Sequence, residues 1–148
     1  MRVLLVEDEE HKIADLTERI LRAGIAPGDL VAVSGVRDAV LQATGGSYDL
    51  VVLDMALPTF SHGTGGGVPQ SVGGVEVLRA LDAEGLSLKI IVVTQYPGII
   101  IGGKNVTLRQ VGKVASAKYG QQVLGAVLYK FKMPEWQEAF DALMERAR

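Results

Sequence analysis

Hydrophobic and polar positions alternate along this chain in blocks rather than singly. Short unbroken apolar runs recur: Val3-Leu4-Leu5-Val6, Leu30-Val31-Ala32-Val33, Leu50-Val51-Val52-Leu53, Ile90-Ile91-Val92-Val93 and Ala126-Val127-Leu128-Tyr129. Runs of this length read as strands covered on both faces. Between them lie segments with helical spacing. Ile13, Leu16, Ile20 and Leu21 mark a helix over 10–22 that Gly24 ends. Val36, Val40 and Ala43 mark a second helix, stopped by Gly45-Gly46, and residues 75–81 a third, stopped near Gly85. Leu108, Val111 and Val114 form the stripe of a fourth over about 108–119, with Thr107 placed to cap it. Pro134 opens a fifth, whose buried stripe is Trp136, Ala139, Phe140, Leu143 and Met144. Strands alternating with helices predict an α/β fold: a doubly wound, five-stranded parallel sheet in a three-layer sandwich.

Two stretches break the alternation. Residues 59–74 carry six glycines, a proline and several Ser and Thr, which predicts an irregular loop. Pro97 to Gly103 reads as a second irregular stretch, unusual for Ile99-Ile100-Ile101 within it. Gly98 to Asn105 has the G-x4-G-K spacing of a phosphate loop. It follows the fourth strand rather than the first, and ends in Asn where Ser or Thr is needed to ligate magnesium. Packing of the isoleucines against the sheet, a helix or another subunit is the better reading.

The strand ends carry the candidate chemistry. The first apolar run leads into Glu7-Asp8, the third into Asp54, the fourth into Thr94 and the fifth into Lys130, with Lys132 as a rival. Open α/β sheets place ligands beyond the carboxyl ends of their strands, at the switch point where the order reverses. In the order 2-1-3-4-5, the first and third strands are neighbours, and Glu7, Asp8 and Asp54 converge. Close carboxylates repel, so the pocket calls for a hard divalent cation such as Mg2+, bound by Asp8 and Asp54 with Glu7 direct or through water. Such a site suits phosphoryl transfer, with Asp54 as nucleophile and Lys130 and the Thr94 hydroxyl neutralising the transferred group. Any one of these acids taken alone fits a helix cap or a solubilising group equally well.

These stretches resemble the receiver domain of two-component response regulators. The resemblance rests on Leu4 to Glu9, Tyr48 to Pro58, Ile91 to Thr94 and Leu128 to Lys130. It implies a flavodoxin-like receiver fold in which Glu7, Asp8 and Asp54 bind Mg2+, joined by the backbone carbonyl of Ala56. It implies phosphoryl transfer to Asp54 from the phosphohistidine of a sensor histidine kinase or phosphotransfer protein. Thr94 would then shift toward the phosphoryl group and Lys130 pair with it. The implied activity is self-phosphorylation and slow autodephosphorylation, not turnover of an external substrate. The downstream effector is unspecified, and homodimerisation is left open. Departures from the family pattern are the long loop after Pro58, Gln95 after Thr94, Val127 in the place of the aromatic switch residue, and Phe131 where a proline is usual. They keep in view a degenerate receiver that binds partners independently of phosphorylation. A Mg2+-dependent phosphohydrolase of similar layout is the third reading.

Composition narrows the remainder. The 148 residues are 48% hydrophobic and 22% charged, which suits a single receiver domain over 1–148. The net charge of -2 gives no general attraction for nucleic acid. The absence of cysteine excludes disulfides, thiol catalysis and cysteine-ligated metals. The chain shows neither a signal-like start nor an apolar run longer than about five residues, against ~20 for a membrane span. The expected location is cytoplasmic. His11 and His62 are too far apart in sequence to suggest a metal pair, and Asn105-Val106-Thr107 has no exported setting in which to be glycosylated.

Overall fold

The computed structural model describes residues 1–57 and 73–148. The strands are β1 (Val3–Val6), β2 (Leu30–Val33), β3 (Leu50–Asp54), β4 (Lys89–Thr94), β5 (Gly98–Ile101), β6 (Lys104–Thr107) and β7 (Gln122–Leu128). The helices are α1 (Glu10–Arg22), α2 (Val36–Gly45), α3 (Gly73–Ala83), α4 (Leu108–Tyr119) and α5 (Glu135–Ala147), with a 3-10 turn at Pro27–Asp29. β2, β1, β3, β4 and β7 form one parallel sheet in that order, which is the expected 2-1-3-4-5 winding.

The sheet separates two apolar cores by strand alternation. Leu4, Val6, Val51, Leu53, Ile90 and Val92 face the side covered by α2, α3 and α4. Val3, Leu5, Leu50, Val52, Ile91 and Val93 face the side covered by α1 and α5. A parallel sheet needs helices on both faces, and the unbroken apolar runs are the sequence counterpart of that double burial. The side chains of Arg19 and Asp141 pair across α1 and α5.

Several local expectations are corrected. The stretch after β4 is not irregular: Gly98–Ile101 pairs antiparallel with Lys104–Thr107 around Gly102-Gly103, in the register Ile101↔Lys104. Both glycines have positive φ, 60° and 80°, the backbone a two-residue type I′ turn requires. Ile99, Ile101 and Val106 are buried in the core beside α4, while Ile100 faces outward. The fifth strand of the sheet begins at Gln122, earlier than the apolar run suggests. It accommodates an extra residue where the register shifts between Ile90↔Val123 and Ile91↔Gly125. Ala139 is exposed, because the inward stripe of α5 follows Trp136, Phe140 and Met144 at steps of four. Thr107 precedes α4 but its side chain makes no capping bond. His62 and the glycine-rich segment up to residue 72 lie outside the described residues. Gly73 and Gly74 open α3 directly beneath the end of β3. A Cβ on Gly74 would fall 2.5 Å from the Met55 Cα, so only glycine admits this approach.

Candidate functional site

Two neighbouring strand ends build the site. β1 and β3 pair with Val6 opposite Leu53, so the next residues, Glu7 just beyond β1 and Asp54 at the end of β3, stand side by side. Ligand atoms of Glu7, Asp8 and Asp54 lie within 4.8 Å of one another. Glu7 and Asp54 are buried and Asp8 is exposed, which gives the cluster one solvent-facing member. Backbone groups fix the carboxylates: Glu7 Oε2 accepts from the Asp8 and Glu9 amides at 3.0 and 3.2 Å. Asp54 Oδ1 accepts from the Ala56 amide at 2.9 Å.

A residue that the strand-end reading does not reach completes the cluster. Lys12, in the first turn of α1, is 1% exposed. Its Nζ lies 3.0 Å from Glu7 Oε1 and 3.5 Å from Asp54 Oδ1. Lys12, Leu16 and Ile20 are the buried residues of α1, at steps of four. That spacing is the signal by which the sequence places Lys12 on the inward face. The Tyr129 ring lies 5.7 Å from the ammonium, and its hydroxyl donates to Asp15 at 2.5 Å.

Burial dominates the electrostatics. It pushes Glu7 up to about 8, with Asp54 adding to the rise and Lys12 opposing it. Burial likewise raises Asp54 above the ordinary carboxylate value, against the pull of Lys12 and the Ala56 amide. For Lys12, burial acts to lower the pKa, but Asp54 and Glu7 outweigh it and the net shift is upward. Glu7 Oε1 is buried without an aligned hydrogen-bond donor, its close neighbour being the Lys12 ammonium. The converging carboxylate oxygens of Glu7, Asp8 and Asp54 form a donor set suited to a hard cation.

The other expected residues divide between the cluster and its rim. Thr94 ends β4, one strand over from Asp54, and is fully buried; its Oγ1 accepts from the Tyr96 amide at 3.1 Å. Gln95 is exposed. Lys130 lies two residues past β7, exposed, and forms no ion pair among the described residues. Lys132 is also exposed, at φ 63°, with its Nζ 5.4 Å from the Phe131 ring. Val127 and Tyr129 both face the α1–α5 core.

No protein-family model matches the chain. The Detocs response regulatory protein DtcB of Vibrio alginolyticus is 31% identical over 130 residues, spanning 86% of this chain and 87% of that protein. Among solved structures, the response regulator TrrA of Thermotoga maritima in complex with Mg2+-BeF superposes with a TM-score of 0.56 at 22% identity, covering 97% of this chain and 99% of that one. TrrA in complex with the histidine kinase ThkA gives 0.58 at 22%, covering 96% and 97%. At these identities the structural likeness speaks for the fold.

Proposed function

This chain belongs to the response regulator receiver family of two-component signal transduction, and from that premise we propose that Asp54 is its phosphoryl acceptor. The observation that carries the reading is the meeting of Glu7, Asp8 and Asp54 within 4.8 Å at adjacent strand ends. Glu7, Asp8 and Asp54, with the Ala56 carbonyl, would hold Mg2+; when bound, the cation neutralises charge on the transferred phosphoryl oxygens. The fixed amides of Asp8 and Glu9 hold Glu7, and the Ala56 amide holds Asp54, so the carboxylates are oriented before a donor arrives.

An Asp54 oxygen attacks phosphorus in line. The new O–P bond forms as the bond to the donor breaks, and the leaving group takes the electron pair. Thr94, buried at the end of the neighbouring strand, would donate its hydroxyl to the phosphoryl group. Lys130, at the exposed rim, would swing inward to pair with it. The donor on this reading is the phosphohistidine of a sensor histidine kinase or phosphotransfer protein, as TrrA's complex with ThkA suggests by analogy. The signal leaves by protein contact in a cytoplasmic setting, and the chain turns over no external substrate.

The test is intact mass after incubation with acetyl phosphate and Mg2+. One added phosphoryl group is expected, absent without Mg2+ and absent in Asp54→Asn. An unmodified wild-type chain would favour the phosphorylation-independent binding module. Continuous phosphate release from a stable monoester would favour a phosphohydrolase.

A further inference from the structure

We propose that Phe131 is a positioning residue for Lys130: clasped against His11 of α1, it fixes the backbone from which Lys130 reaches the phosphoryl group on Asp54. The inference rests on the acceptor reading above and adds to it how an exposed lysine is aimed. Lys130 stands between two residues held for different reasons. Before it, Tyr129 is 1% exposed; its amide donates to the Thr94 carbonyl at 2.8 Å and its hydroxyl to Asp15. That anchors the near side of Lys130 to the end of β4 and to α1. After it, Phe131 is 54% exposed, so burial does not hold this side chain. A contact does: the Phe131 and His11 rings meet edge to face, with centroids 4.7 Å apart. His11 is itself steadied, its Nε2 lying 3.3 Å from Glu9 Oε2.

The backbone carries the mark of this clasp. The Met133 amide donates to the Lys130 carbonyl at 3.1 Å, closing a four-residue turn with Phe131 and Lys132 at its centre. Lys132 has φ 63°, alone among the non-glycine residues described, in the place where a type II turn favours glycine. A lysine keeps that conformation only where its neighbours impose it. Its ammonium lies 5.4 Å from the centre of the Phe131 ring, on the same side chain that His11 clasps. Pro134, directly before α5, narrows the conformations open to Met133. With both flanks of Lys130 fixed, pairing with a phosphoryl oxygen costs only rotation of its side chain. With the clasp released, the strand end would have to be ordered in the same step.

The experiment follows phosphorylation from acetyl phosphate and Mg2+ by intact mass against time. It compares Phe131→Ala, Phe131→Tyr, His11→Ala, Lys130→Ala and the double variant of Phe131→Ala with Lys130→Ala. Thermal melts establish folding, and calorimetry gives Mg2+ affinity. Phe131→Ala should accept the phosphoryl group about tenfold more slowly at unchanged Mg2+ affinity, and His11→Ala about as slowly, since either loss opens the clasp. Phe131→Tyr, which keeps the ring, should stay within about twofold of the wild-type rate. Lys130→Ala should be slow in its own right, and adding Phe131→Ala to it should slow it by less than about twofold more, because the clasp acts through the lysine. A merely structural role would multiply the two losses. A wild-type rate in Phe131→Ala, a fall in Mg2+ affinity that accounts for the slowing, or full multiplication in the double variant would overturn the assignment. Should Phe131→Ala not fold, His11→Ala combined with Lys130→Ala carries the same comparison from α1. If the wild-type chain accepts no phosphoryl group, the acceptor reading fails and the proposal with it; a wild-type chain that is phosphorylated while Phe131→Ala keeps pace sinks the proposal alone.

Discussion

Gln121 illustrates how much one side chain can hold. It is 3% exposed; its Oε1 accepts from the Leu88 amide at 2.8 Å, and its Nε2 donates to the Leu86 and Tyr119 carbonyls at 2.7 and 2.9 Å. It thereby joins the link before β4 to the link before β7, the two strands whose ends carry Thr94 and Lys130. Gln121→Ala leaves these backbone groups without partners, at a cost of about 2–4 kcal/mol in denaturant unfolding. The adjacent, exposed Gln122→Ala should stay within about 0.5 kcal/mol. Neither Gln121 nor Lys12 stands out in the sequence, and for the same reason: a polar side chain is taken to face water unless its partners are known. Lys12 had a readable sign, its four-residue steps to Leu16 and Ile20. Gln121 had none, since its partners are backbone groups of distant links. Glu7 and Asp54 were legible because each ends an unbroken apolar run.

At the scale of elements, the β5–β6 hairpin is the main difference from the sequence reading. The signal was present: two glycines between short strand-like runs spell a two-residue turn. The G-x4-G-K spacing shares only Gly103 with that turn, and the neighbouring runs make pairing its simpler use. Alternation within β5 makes the hairpin testable. Ile101, 3% exposed beside α4, should cost about 2–4 kcal/mol when replaced by Ala. Ile100, 39% exposed on the opposite face, should cost within about 0.5 kcal/mol. Equal effects would mean that the segment does not pair as described.

For the whole molecule, the winding order was legible because a doubly buried sheet leaves little freedom in where its apolar runs go. The price of that order is a concentration of buried carboxylate at the switch point, and it ties global stability to pH. Glu7 is raised from its ordinary value to about 8. Its contribution is therefore fully present below about 4.5 and is lost as pH rises through about 8. In metal-free buffer the melting temperature should fall between pH 5 and pH 8.5. Mg2+ requires the ionised carboxylate, so its stabilising effect should grow over the same interval. Melts with EDTA and with Mg2+ check both signs; parallel curves across the range would argue against metal binding through Glu7.

The chain has one tryptophan, and its surroundings give it a further use. The Trp136 ring lies 5.0 Å from that of Tyr129, which in turn stands beside the Lys12 ammonium. Indole emission responds to nearby charge, so this single fluorophore is a label-free gauge of a cation or phosphoryl group arriving at the carboxylate cluster. Stopped-flow mixing can thus follow the event in real time without altering any group that takes part in it.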